Sequence, residues 1–137
     1  MTPARERPLV LLVDDEEVFL EIASTKLKTE GFLTVVAYTV TDALTKAEEL
    51  LPDLILSDVY MPPGPNGWEF ALEIRRNPKT RNIRFAFFTS LRDPWAELKK
   101  EHASAAQELG RVTFFSKMDD VDHLADLVGK LIAEAPA

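Results

Sequence analysis

The stretch Leu9-Val10-Leu11-Leu12-Val13-Asp14-Asp15-Glu16 decides the fold. Its first five residues are all apolar, too few for a helix and without alternation. A run of that kind is a strand buried on both faces, as in a parallel sheet covered by helices. It stops abruptly at two carboxylates.

Working outward, apolar runs alternate with segments of helical period, and the alternation occurs five times. Phe19, Ile22, Ala23 and Leu27 form a helical stripe that Gly31 can stop. Leu33 to Tyr38 reads as the second strand. Ala43, Leu44, Ala47, Leu50 and Leu51 make the second helix, with Thr41 as its N-cap and Pro52 beyond its end. Leu54-Ile55-Leu56 is the third strand, and Met61-Pro62-Pro63-Gly64-Pro65-Asn66-Gly67 is a turn-rich loop. The third helix starts near Gly67, carries Phe70, Ala71 and Ile74, and ends at Asn77-Pro78. Phe85 to Phe88 is the fourth strand. Asp93-Pro94 opens a fourth helix with Trp95, Leu98, Ala105, Ala106 and Leu109 on one stripe and Gly110 at its end. Val112 to Phe115 is the fifth strand. The last helix carries Val121, Leu124, Leu127, Val128, Leu131 and Ile132, with Asp119 or Asp120 as cap. Strands and helices in alternation with short connections predict an α/β fold, a doubly wound parallel sheet with helices on both faces. Residues 9–134 form one domain in this reading, between a flexible extension, 1–8, and a tail, 135–137.

Composition narrows the function. The chain has 137 residues, sixteen Lys and Arg against twenty-three Asp and Glu, and a net charge of −7. A non-specific nucleic-acid or acidic-membrane binder leans the other way. There is no cysteine, so disulfides, thiolate metal sites and thiol nucleophiles are excluded. No apolar run is long enough to span a membrane, and the first eight residues do not resemble a signal peptide. A cytoplasmic location is expected.

In an open α/β sheet, ligands bind beyond the carboxyl ends of the strands. Asp14 and Asp15 stand there after strand one, Asp58 after strand three, Thr89 and Ser90 after strand four, Ser116 and Lys117 after strand five. Singly, each has an ordinary explanation: an aspartate at a strand end is often a helix cap, a threonine a turn residue, a lysine solvated. Together at one end of one sheet they point to a site. Three carboxylates repel unless a cation joins them. An oxygen-only ligand set suits a hard ion, Mg²⁺ or Mn²⁺ rather than Ca²⁺. Thr89 and Lys117 add a donor and a positive charge aimed at an anionic oxygen ligand, the chemistry of a phosphoryl group. Asp58, central among the carboxylates, is the candidate to carry it covalently.

These residues make the sequence resemble a response regulator receiver domain of bacterial two-component signalling. The carrying stretches are Leu-Leu-Val-Asp14-Asp15-Glu, Leu-Ile-Leu-Ser-Asp58-Val-Tyr-Met-Pro, Phe-Phe-Thr89-Ser90 and Phe-Phe-Ser-Lys117, within residues 8–134. The resemblance implies a flavodoxin-like sheet of order 2-1-3-4-5. It implies a switch rather than an enzyme: Asp58 accepts a phosphoryl group from a phosphohistidine of a histidine kinase or phosphotransfer protein. Asp15 then ligates Mg²⁺ directly, Asp14 partly through water, and the backbone carbonyl of Tyr60 adds a ligand. Thr89 and Lys117 grip the phosphoryl oxygens, and Phe114 matches the aromatic rotamer switch. Tyr60 and Leu91 occupy the positions that govern dephosphorylation. The downstream partner is a protein, with a homodimer through the helix four to helix five face as one form of output.

The sequence departs from the family pattern in three places. The loop after Asp58 is one residue longer, Met118 follows Lys117 where proline is usual, and Thr89 to Lys117 is about six residues longer, implying a longer helix four or loop. A receiver-like module independent of phosphorylation is the alternative, but it would usually lack Asp58, Lys117 or one of the acidic pair. A phosphatase of the haloacid dehalogenase type would carry a second Asp where Tyr60 stands. Arg75, Arg76, Lys79, Arg81 and Arg84 fall at the opposite end of the sheet and read as a solvated loop. Trp68 and Trp95 read as packing residues, and His102 and His123 as surface residues.

Overall fold

The computed structural model describes residues 6–62, 66–110 and 112–134. Its elements in order are β1 (Leu9–Val13), α1 (Glu17–Thr29), β2 (Leu33–Ala37), α2 (Val40–Leu50), β3 (Leu54–Ser57), α3 (Gly67–Arg76), β4 (Arg84–Thr89), α4 (Pro94–Glu101), α5 (Ala103–Leu109), β5 (Thr113–Ser116), a 3₁₀ turn (Val121–His123) and α6 (Leu124–Ala133). The strands pair in parallel in the order β2-β1-β3-β4-β5, the flavodoxin-like topology.

The continuous apolar runs follow from this topology. Side chains alternate across a strand, so a sheet covered on both faces needs apolar residues at every position. Leu11, Val13, Ile55, Phe85 and Phe87 pack with α2, α3, α4 and α5 on one face. Val10, Leu12, Leu54, Leu56, Ala86 and Phe88 pack with α1 and α6 on the other. All five residues of β1 are buried.

Several local expectations are corrected. The fourth helix is two helices, broken at His102, whose φ of −141° and ψ of 55° lie outside the helical region. The segment between Leu98 and Ala105 holds no large apolar residue, only the exposed Ala103, to keep one straight helix against the core, and Leu98 and Ala106 are both buried on either side of the break. His102 is accordingly half-buried rather than a surface residue, whereas His123 is exposed. The N-cap of α2 is Thr39, not Thr41: Thr39 is extended and its hydroxyl accepts from the Asp42 amide at 3.2 Å. Asp120 is the N-cap residue of the 3₁₀ turn that leads into the last helix but makes no side-chain capping bond; its carboxylate accepts from the Ser116 amide at 2.6 Å and folds the chain back after β5.

The Pro8 carbonyl accepts from the Leu33 amide at 2.9 Å, which anchors the end of the N-terminal extension to the β1–β2 edge. The rest of that extension, residues 1–5, the tail 135–137, and Pro63, Gly64 and Pro65 of the long loop lie outside the described residues. No helix among the described residues is long and apolar enough to cross a membrane.

Candidate functional site

Register brings the polar strand ends together. Val13 is opposite Ser57, so Asp14 and Asp58 emerge side by side, and Thr89 is opposite Ser116, so Lys117 leaves β5 at the same end of the sheet, one strand beyond β4. The ladder continues one step past the strands: the Asp58 amide donates to the Val13 carbonyl and the Lys117 amide to the Thr89 carbonyl, each at 2.9 Å. Gly67 fixes the backbone behind Asp58. A Cβ at that position would collide with the Asp58 carbonyl oxygen, and the Gly67 amide donates to the Val59 carbonyl at 2.6 Å.

At the centre, the Lys117 Nζ donates to Asp14 Oδ2 at 2.5 Å and to Asp58 Oδ2 at 3.1 Å. Residues 103 positions apart in sequence thus share one ion pair. The side chains of Lys117, Asp14 and Asp58 keep only 9%, 4% and 12% of their exposure. Asp58 Oδ1 accepts from the Val59 amide, and Asp14 Oδ1 from the Glu16 amide. Burial pushes the Asp58 carboxyl up to about 6, with Asp14 adding to the rise and Lys117 opposing it. Burial also raises Asp15, reinforced by hydrogen bonding with Asp14 and by its charge. Burial works against the Lys117 charge, but its hydrogen bonds and attraction to Asp14 and Asp58 win and hold its pKa above the ordinary value.

Ligand oxygens of Asp14, Asp15, Glu16 and Asp58 all lie within 4.8 Å of one another. The donor set is entirely carboxylate, and the contribution of Asp14 to the burial-led rise of Asp58 and Asp15 is one a hard cation would relieve, so the cluster fits Mg²⁺. Thr89 is buried with its hydroxyl accepting from the Leu91 amide at 3.2 Å. Phe114 stacks on Phe87 at 5.5 Å and meets Trp68 edge-on at 5.9 Å; its other side borders a cavity of about 460 Å³ also lined by Thr89, Leu91 and Met118. The Tyr60 hydroxyl donates to Glu97 of α4 at 2.6 Å, and this bond, followed by burial, pushes the phenol up to about 12. Trp68 is buried against Phe87 and Phe114, the packing role expected of it, and Trp95 lies near Phe114.

Sequence reasoning missed two residues here. Glu16 joins the acidic cluster and comes within 3.9 Å of Lys117; its signal was the unbroken Asp-Asp-Glu run. Phe19, read as one member of an apolar stripe, places its ring 4.5 Å from the Lys117 ammonium.

Comparison with known proteins agrees with this architecture. A family model described as the response regulator receiver domain matches residues 10–129. The DNA-binding response regulator MtrA of Mycobacterium tuberculosis is 42% identical over 69 residues, 50% of this chain and 30% of MtrA. The response regulator PleD of Caulobacter vibrioides is 35% identical over 82 residues, 60% of this chain and 18% of PleD. The chain therefore spans under a third of each of these relatives. Among solved structures, the chemotaxis response regulator CheY4 of Vibrio cholerae superposes with a TM-score of 0.76 at 24% identity, covering 91% of this chain and 98% of CheY4. The receiver domain of Francisella response regulator 1452 gives 0.74 at 25% identity, covering 92% and 97%.

Proposed function

Given that the chain belongs to the response regulator receiver domain family, we propose that residues 9–134 act as a phosphoacceptor switch whose covalent site is Asp58. The observation that carries this reading is the Lys117 ammonium held between the Asp14 and Asp58 carboxylates at 2.5 and 3.1 Å. A buried cation beside a carboxylate already poised toward it is a preformed place for a phosphoryl oxygen.

The donor is a phosphohistidine on a histidine kinase or phosphotransfer protein. A carboxylate oxygen of Asp58 attacks phosphorus, the new O–P bond forms as the N–P bond breaks, and the imidazole departs neutral with its proton on the other ring nitrogen. Asp58 is ionised for this attack above its pKa of about 6. Lys117 shifts from Asp58 Oδ2 to a phosphoryl oxygen. Thr89 keeps a hydroxyl proton to donate even while it accepts from Leu91. Asp14, Asp15, Asp58 and the Tyr60 carbonyl are the residues that would hold Mg²⁺. When bound, that ion neutralises charge shared by the carboxylates and the incoming phosphoryl group.

The switch follows from two displacements. Thr89 moves toward the phosphoryl group, and Phe114 exchanges packing between its aromatic neighbours and the adjoining cavity. A two-state shift from 1:99 to 99:1 takes ~5.5 kcal/mol. New charge-assisted bonds from Thr89 and Lys117, each worth about 1.5–3 kcal/mol, supply much of it. The signal then passes to a partner protein by contact. Incubation with acetyl phosphate, with and without Mg²⁺, followed by peptide mass spectrometry tests the assignment. A metal-dependent adduct on Asp58, absent from Asp58→Asn, is expected; an adduct on another residue overturns it.

A further inference from the structure

Besides the Asp14 and Asp58 carboxylates it bonds and Glu16 at 3.9 Å, Lys117 has an aromatic neighbour. The Phe19 ring lies on α1, and the Lys117 Nζ sits 4.5 Å from its centroid. At that distance an ammonium is attracted by the negative face of the ring, and more strongly where water is excluded. The Lys117 side chain is only 9% exposed. Phe19 is itself held in place by Phe88 of β4, centroid to centroid at 5.1 Å and tilted by 56°. Phe88 directly precedes Thr89, and the Thr89 carbonyl accepts from the Lys117 amide at 2.9 Å.

From this arrangement we infer that Phe19 is a positioning residue for phosphoryl transfer, acting through Lys117. The inference rests on the phosphoacceptor reading of Asp58. Lysine is a point charge on a flexible four-carbon stem, with no planar fork to fix its direction. In the unmodified chain, Asp14 and Asp58 hold it. During transfer, the Asp58 carboxylate becomes an acyl phosphate and its own carboxylate charge is lost, so one of the two anchors weakens. The Phe19 ring does not change in that step. It keeps the ammonium over the site while Lys117 exchanges Asp58 for a phosphoryl oxygen, so the charge is in place where negative charge develops. Because the ring also packs on Phe88, the same side chain ties the ammonium to the strand that carries Thr89.

Fluorination of the ring separates this role from packing, because each fluorine drains the negative face with little change of shape. The full chain is made with 4-fluoro-, 3,5-difluoro- and 3,4,5-trifluorophenylalanine at position 19, alongside Phe19→Trp and Phe19→Leu. One readout is the rate of Mg²⁺-dependent adduct formation on Asp58 from acetyl phosphate. A stepwise fall of about threefold to tenfold across the fluorine series is expected, with Phe19→Trp close to the parent rate and Phe19→Leu slowest. A second readout is the urea midpoint without metal, in the parent and in a Lys117→Met background. The midpoint should decline along the series in the parent and stay level in Lys117→Met. A flat rate series on an Asp58 that does form its adduct overturns the positioning role. Absence of any adduct in the parent chain overturns the phosphoacceptor reading, and the positioning role falls with it. Parallel midpoint declines in both backgrounds reduce Phe19 to a packing residue.

Discussion

The two ends of the sheet are both crowded with charge, and they use it in opposite ways. At the carboxyl end, Lys117 is buried with Asp14 and Asp58, and burial, with Asp14 adding to it and Lys117 opposing it, lifts Asp58 to about 6. At the amino end, Arg76 of α3 pairs with Glu108 of α5 through two bonds of 2.6 Å, Lys79 lies 3.4 Å from Glu48, and Arg75 donates to the Arg81 carbonyl. Arg84 reaches the Glu134 carbonyl. These partners are largely exposed. Water already solvates such charges, so their pairing has little leverage on chemistry. Charge alone marks neither end as a site. What distinguishes the carboxyl end is that the backbone of β1 and β3 brings carboxylates together out of water, with Lys117 from the end of β5 between them, a grouping that would suit a hard cation and a phosphoryl oxygen.

The sharpest way to break this contrast is to remove one group from each end. Asp58→Asn should abolish the aspartyl adduct, since an amide neither attacks phosphorus nor neutralises a metal. Arg76→Ala should form the adduct at the parent rate. If Arg76→Ala lost the adduct too, the amino end would be functional and the contrast would fail. The next effect is on stability. Lys117→Met strands two buried carboxylates, and should lower the unfolding free energy of the metal-free chain by about 3 kcal/mol. Arg76→Met should leave the urea midpoint where it is. Chemical denaturation of the two variants side by side reads this directly.

A smaller effect concerns pH. The ordinary Asp value is 3.8, and Asp58 in the fold is near 6. Between those values the folded chain binds more protons than the unfolded one, so stability falls as pH rises. The penalty is absent below about 3.8, complete above about 6, and on the order of 1–2 kcal/mol after allowing for solvent screening. Asp58→Asn should therefore unfold at higher urea than the parent at pH 7.5 without metal, with the advantage shrinking toward pH 4. Mg²⁺ should erase the parent's pH dependence in this window. An advantage that grew on acidification would mean that Lys117 overcompensates for burial.

Most of this contrast is legible in the sequence, and the reasons are physical. A parallel sheet has one carboxyl edge, so locating the strands locates Asp14, Asp58, Thr89 and Lys117 at once. Leu9 to Val13 could be read as a strand without ambiguity because burial on both faces leaves no polar position. The His102 break was not legible: Trp95, Leu98, Ala105 and Ala106 satisfy a helical period whether the helix is straight or broken. Thr39 and Thr41 are equivalent as cap candidates until the backbone shows which one is extended. Phe19 was hidden for a different reason. An aromatic residue in an apolar stripe reads as core, and nothing local records that a lysine 98 positions later passes over its ring.

The smallest expected effect is the rate at which the aspartyl phosphate is lost. Hydrolysis needs a water in line with the phosphorus–oxygen bond, and neighbouring side chains must aim it. By the family pattern those neighbours are Tyr60 and Leu91. Leu91 offers no side-chain hydrogen bond, and its amide is already committed to the Thr89 hydroxyl. The Tyr60 hydroxyl donates to Glu97, so its proton points toward α4. Neither residue is free to orient water, and the phosphoryl group should be long-lived. Replacing both, as Tyr60→Asn with Leu91→Glu, installs an amide and a carboxylate that can hold a water. One added hydrogen bond to the attacking water, at ~1 kcal/mol, should speed decay about fivefold after the donor is removed. Tyr60→Phe separates the two parts of the argument: it breaks the bond to Glu97 but keeps the ring. Decay at the parent rate in Tyr60→Phe would assign the shielding to the ring, and faster decay would assign it to the tether. Equal decay in the parent and the double variant would mean that water reaches Asp58 by a route these two side chains do not guard.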